Sequence, residues 1–133
     1  MPNAEAGLRI LVVDDNSDYA ESTATLLRLY GYSPEVARDG ATALGAALHH
    51  QPAIVLLDIG LPGMNGWDLA QRIKEQAGAT RPLLVAITGY GRPEDHRRSA
   101  EAGIDLHLTK PVDPEALRSL LNAIHDRDIQ CAT

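Results

Sequence analysis

Cysteine is nearly missing from this chain: Cys131 is the only one in 133 residues. A single thiol closes no internal disulfide and builds no thiolate zinc cluster, so nothing ties the fold to an oxidising compartment. Basic runs are missing as well. Twelve Lys and Arg stand against eighteen Asp and Glu, a formal net charge of −6, with the two signs interspersed. Without an Arg/Lys stripe, direct contact with nucleic acid is not expected of this chain. No apolar run is long enough to span a bilayer, and "MPNAEAG" lacks the apolar centre of a signal peptide. Gly63 to Gly66 is too sparse for a nucleotide loop, and no Walker or dinucleotide fingerprint occurs. These absences lead to the expectation of a cytoplasmic, single-domain protein that uses neither membrane nor nucleic acid directly.

What is present is a core and a rhythm. Hydrophobic residues make up 44% of the chain, which excludes a disordered polymer. Ile10–Val13, Ile54–Leu57 and Leu83–Ile87 are apolar throughout, as strands covered on both faces would be. Ser33–Ala37 and Ile104–Leu108 read as weaker strands near the sheet edges. Helical patterns alternate with these runs. Asn16 or Ser17 can cap the first helix, which carries Ala20, Ala24 and Leu27 and stops at Gly31. Asp39 can cap Ala41–His49, and a third helix follows Asn65 with Trp67, Ala70 and Ile73 on one face. Pro93 and Pro114 suit the first turns of two more, the last capped by Asp113 and striped with Leu117, Leu120, Leu121 and Ile124. Five βα repeats with short connections predict a doubly wound five-stranded parallel sheet in an α/β fold, with helices on both faces. Residues 9–125 would form the domain, 1–8 a flexible leading segment and 126–133 a tail.

In such a sheet the ligand site lies beyond the carboxyl ends of the strands. Those ends carry Asp14 and Asp15, Asp58, Thr88 and Lys110. Burying neighbouring carboxylates is costly without compensation, and a hard divalent cation such as Mg²⁺ provides it through oxygen ligation. An ammonium and a hydroxyl suit phosphoryl oxygens instead. The set therefore reads as a metal plus a phosphoryl group, with a carboxylate available as nucleophile. Taken singly, each signal is weak. An acid pair can simply cap a helix, Lys110 can be a solvated lysine, and Thr88 a turn hydroxyl.

"VVDDN", "LLDIGLPGMNGWDL", "AITGYG" and "LTKPVD" stand in one order and at one spacing from Arg9 to Ile124. In this the chain resembles the receiver domain of two-component response regulators, with its chemotaxis-regulator-like, flavodoxin-like fold. The resemblance implies strand order 2-1-3-4-5. It implies Asp58 as phosphoacceptor, and Mg²⁺ held by Asp15, by Asp14 largely through water, by Asp58, and by the backbone carbonyl of Gly60. Lys110 would pair with a phosphoryl oxygen, and Thr88 would swing to bond another. That motion would alter the surface of the fourth helix, fifth strand and fifth helix. Lys110–Pro111 would be a cis peptide, and Pro62, Gly63 and Gly66 would shape the loop after the acceptor. Partners would be a sensor histidine kinase or a histidine phosphotransfer domain, with a phosphorylation-linked dimer as a further form. The chain would be a signalling domain, not a metabolic enzyme.

Two positions depart from the common pattern. His107 stands where Tyr or Phe is usual, so the aromatic part of the switch passes to an imidazole. Gly89 leaves the site open, and Gly60 and Tyr90 flank the path of hydrolytic water. On residue types alone His107 reads as a packed histidine, His49 and His50 as a solvated helix end, and Trp67 and Tyr90 as packing or partner surface. Competing classes are a small-molecule phosphatase, a flavin-binding domain and a receiver that no longer accepts phosphate. Gly60 cannot serve as the phosphatase's general acid, and "DDNSDY" is too acidic for a flavin phosphate. A stand-alone regulator and a piece of a hybrid histidine kinase both fit the sequence.

Overall fold

The structure is a computed structural model that describes residues 8–60, 65–78, 81–88, 93–110 and 112–132, with side chains left aside at 93–96 and 125–132. Ten elements alternate without exception: β1 (Arg9–Val13), α1 (Ser17–Leu29), β2 (Ser33–Ala37), α2 (Gly40–His50), β3 (Ile54–Asp58), α3 (Gly66–Ala77), β4 (Leu83–Thr88), α4 (Pro93–Ala102), β5 (Leu106–Thr109) and α5 (Pro114–Ala132). The strands form one parallel sheet in the order β2-β1-β3-β4-β5. This is the doubly wound fold expected from the sequence.

The continuous apolar runs in β1, β3 and β4 follow from a sheet buried on both sides. Leu11, Val13, Val55, Leu57, Leu84 and Ala86 face one layer, packed with Ala43, Ala46 and Ala47 of α2 and Leu69, Ala70 and Ile73 of α3. Their chain neighbours Ile10, Val12, Ile54, Leu56, Val85 and Ile87 face the other, against Ala20 and Leu27 of α1 and Leu117, Leu121 and Ile124 of α5. The period-two alternation of the pleat therefore divides one apolar run between two cores. Among the described residues no helix is long and apolar enough to cross a membrane.

Side chains at the helix starts satisfy orphan amides, as the caps predict. Asn16 Oδ1 accepts from Tyr19 N at 3.0 Å, Asp39 Oδ1 from Thr42 N at 2.8 Å, and Asn65 Oδ1 from Asp68 N at 2.9 Å. Of the two candidates at the first helix, Asn16 is the cap. Gly31, where that helix was expected to stop, follows it at φ +93°.

Two boundaries differ: α5 runs on to Ala132, where a tail from residue 126 is expected. The fifth strand begins at Leu106, not at Ile104. Ile104 still belongs to the exit of α4: its N–H bonds Ser99 O at 2.9 Å, and its side chain is buried in the α2/α3 layer. Asp105 gives its N–H to Leu84 O at 2.8 Å, but it is its carboxylate that takes the Leu84 N–H at 2.8 Å, along with the Arg81 guanidinium at 2.6 Å. Ladder pairing starts only afterwards, with Leu106 opposite Val85.

Candidate functional site

The strand order reverses between β1 and β3, and both strands end in acid. Asp14 follows the last residue of β1 and is 3% exposed. Its backbone N–H bonds Ala37 O at 3.1 Å, which pins the residue to the end of β2. Asp15 points out and is exposed. Asp58 is the last residue of β3 and is partly buried. One oxygen from each of Asp14, Asp15 and Asp58 lies within 4.8 Å of the others, although 43 residues separate Asp15 from Asp58 in the chain.

Backbone amides hold two of these carboxylates. Asp14 Oδ1 accepts from Asn16 N at 3.0 Å, and Asp58 Oδ1 accepts from Gly60 N at 3.0 Å. Their other oxygens face a single cation. Lys110 Nζ lies 3.2 Å from Asp14 Oδ2 and 3.4 Å from Asp58 Oδ2. Lys110 directly follows β5, and its N–H bonds Thr88 O at 2.7 Å, so the ends of β4 and β5 are tied to each other beside the acids. Thr88 is the buried last residue of β4.

Electrostatics follow from this geometry. Burial pushes the Asp58 carboxyl above the usual carboxylate range, and Asp14 adds to the push. The Gly60 amide and the Lys110 ammonium pull it back without cancelling the effect. Burial alone would lower the pKa of Lys110, but Asp58 and Asp14 outweigh it and hold the ammonium above the ordinary lysine value. The site keeps one firmly protonated cation beside a carboxylate with a reduced preference for charge.

The loop after Asp58 returns close to its origin. Gly66 N bonds Ile59 O at 2.9 Å. A Cβ on Gly66 would lie 2.6 Å from Ile59 Cα and 2.8 Å from Asp58 O, both backbone atoms. Only glycine fits this approach. Pro62 and Gly63 of that loop lie outside the described residues, as do Gly89, Tyr90 and Pro111 with its expected cis peptide. His107 is half-buried in β5, in register with Ala86 of β4. His49 and His50 are exposed at the end of α2, and His50 Nδ1 meets Glu35 Oε1 at 2.8 Å.

Two arrangements escaped the sequence reading. Tyr19, in the first turn of α1, places its ring under Lys110, with Nζ 4.8 Å from the ring centroid. The only sequence signal is position: Tyr19 lies one helical turn beyond Asp15. Trp67 was read as packing or partner surface. It packs against the α2/α3 core, donates Nε1–H to the buried Ser99 Oγ at 2.8 Å and carries the Arg98 guanidinium 4.3 Å from its ring centroid.

Comparison with known proteins gives consistent matches. The model of the response regulator receiver domain matches residues 10–122. The sensor histidine kinase RcsC of Salmonella typhi is 38% identical over 90% of this chain, which spans 12% of that protein. The DNA-binding response regulator MtrA of Mycolicibacterium paratuberculosis is 37% identical over 86% of the chain, which spans 50% of it. Among solved structures, the receiver domain of the sensor histidine kinase PA1611 from Pseudomonas aeruginosa superposes with a TM-score of 0.80 at 28% identity. That match covers 89% of this chain and 97% of the other, which was determined with a magnesium ion coordinated in its active site cleft.

Proposed function

Since the chain belongs to the response regulator receiver domain family of two-component signalling, we propose that it is phosphorylated on Asp58 and acts through the resulting change of surface. The observation that carries this reading is the shared lysine: Nζ of Lys110 bridges Asp14 and Asp58 at the point where three acids meet. A solvated lysine or a simple acidic helix cap would not produce that convergence.

An all-carboxylate donor set with oxygens this close suits a hard divalent cation. Asp14, Asp15, Asp58 and the Gly60 carbonyl would hold Mg²⁺, which when bound supplies positive charge to the nucleophile and the transferring oxygens. The reacting bonds belong to Asp58. Its carboxylate oxygen attacks phosphorus of a phosphohistidine, a P–O bond forms, the P–N bond breaks, and the electron pair leaves with the imidazole nitrogen. Gly60 N–H fixes Oδ1, which leaves Oδ2 on the side of Lys110 to react. Lys110 then pairs with a phosphoryl oxygen. Thr88 turns its hydroxyl to another, and the β4–β5 junction carries the change to α4, β5 and α5, with His107 taking the place of the usual aromatic ring.

Relatives of two kinds match almost equally well, one a kinase and one a DNA-binding regulator. In this reading the phosphodonor is a histidine kinase or a histidine phosphotransfer domain, in the cytoplasm. The modified chain works without touching nucleic acid itself, as a stand-alone regulator or as part of a longer chain, and a phosphorylation-linked dimer is one form of its output. The test is labelling by acetyl phosphate with Mg²⁺. The wild type takes up one phosphoryl group, and Asp58→Asn takes up none while keeping its circular dichroism. Stoichiometric labelling of Asp58→Asn would remove Asp58 from the role. No labelling of the wild type would favour a receiver fold that works through protein contacts alone.

A further inference from the structure

A closed ring of contacts runs through Asp14, Asn16, Tyr19 and Lys110. Asp14 Oδ1 accepts from Asn16 N, and Asn16 Oδ1 accepts from Tyr19 N, each at 3.0 Å. The Tyr19 ring lies 4.8 Å from Lys110 Nζ, and Lys110 Nζ returns to Asp14 Oδ2 at 3.2 Å. The ring joins the β1 carboxylate to the β5 lysine through the first turn of α1. Lysine has four flexible side-chain bonds, so two ion pairs longer than 3 Å leave its head room to wander. An aromatic face within about 6 Å restricts that freedom and attracts the ammonium through the ring quadrupole.

Tyr19 also borders an open cavity between α1 and α5, together with Ser22, Thr23, Leu26, Val112 and Leu117. Among the described residues of that lining, no other carries an aromatic ring or a charge. Among the described residues, Tyr19 is the ring that the lysine head meets.

We propose that Tyr19 is a positioning residue for phosphoryl transfer, holding the Lys110 ammonium over Asp14 and Asp58 with its ring face. The proposal rests on Asp58 being the phosphoacceptor. The ring, not the hydroxyl, does the holding, so phenylalanine substitutes for tyrosine and an aliphatic residue of similar size does not. Tyr19 acts through Lys110 and is not one of the three acids that would hold the metal, so its loss slows transfer without emptying the metal site.

The experiment compares wild type, Tyr19→Phe and Tyr19→Leu in the full chain. Two quantities are measured: the second-order rate constant for labelling by acetyl phosphate, and the Mg²⁺ dissociation constant by calorimetry. Tyr19→Leu is expected to label about three- to tenfold more slowly, the range of a partly desolvated cation–π contact. Its Mg²⁺ affinity should stay within about twofold of wild type, and Tyr19→Phe should restore the wild-type rate. Wild-type labelling by Tyr19→Leu overturns the proposal, and so does a Tyr19→Phe variant as slow as Tyr19→Leu. A parallel loss of Mg²⁺ affinity in Tyr19→Leu also overturns it, since that marks general damage to the site. A wild type that takes no label defeats the reading of Asp58 itself, a result distinct from all three.

Discussion

Charge sits uneasily on the Asp58 side chain. Its pKa is raised, chiefly by burial, so the folded protein holds this proton more tightly than the unfolded chain does. The group's contribution to stability is therefore most favourable below the ordinary Asp range. It declines as pH climbs through the interval up to the raised native value, and above that interval the ionised carboxylate is a standing cost. Asp58→Asn, measured without divalent cations near neutral pH, should unfold at a higher urea concentration, by an amount of order 1 kcal/mol. The difference should vanish in acid. Gly66 makes the opposite case. Gly66→Ala drives a methyl into the backbone of Asp58 and Ile59 and should cost roughly 1–3 kcal/mol in denaturant unfolding. Slower labelling should accompany it if Asp58 is the phosphoacceptor proposed above, because the Asp58 carbonyl is one of the crowded atoms. That the acids, Thr88 and Lys110 gather at one edge of the sheet was legible because strand ends place them whatever their rotamers. Tyr19 was not, since a ring meeting an ammonium depends on how α1 and β5 stand in space, and spacing along the chain does not contain that distance.

Among the elements, those with continuous apolar runs or clear caps were read closely, and the fifth strand was not. Leu106, His107, Leu108 and Thr109 are all partly or fully exposed, so burial gives β5 little pattern to read. Its start is set by a side chain instead: the Asp105 carboxylate occupies the amide of Leu84 and binds Arg81. Arg81 reaches Gly103 O at 3.1 Å as well, which fixes the turn between α4 and β5. Asp105→Ala should leave the Leu84 amide without this acceptor and cost about 1–3 kcal/mol. Hydrogen exchange should show the loss concentrated at the β4–β5 pair, with β1 and β3 nearly unchanged.

At the scale of the whole molecule, two cores share one sheet, and the acids lie where the strands leave both. A cation gathered there ties β1 to β3, the centre of the fold. Any ligand that binds only the native state stabilises it by mass action, about 2.7 kcal/mol at a hundredfold excess over the dissociation constant. The thermal midpoint of the wild type should therefore rise with Mg²⁺ concentration, and that of Asp58→Asn should rise less, in calorimetric scans. An equal rise in both would mean that Asp58 is not among the ligands. The fold class was readable at this scale because three apolar runs and two weaker strands alternate with helical segments, and short βα connections favour a parallel sheet.

The indole of Trp67 spans the joint between α3 and α4, bonded to Ser99 and covered by Arg98. It is also the sole tryptophan in the sequence. Emission excited at the red edge therefore comes from one place, beside the helix expected to move. The protein carries its own optical gauge: a colour change on phosphorylation, absent with magnesium alone, would time the rearrangement of α4 without any dye attached.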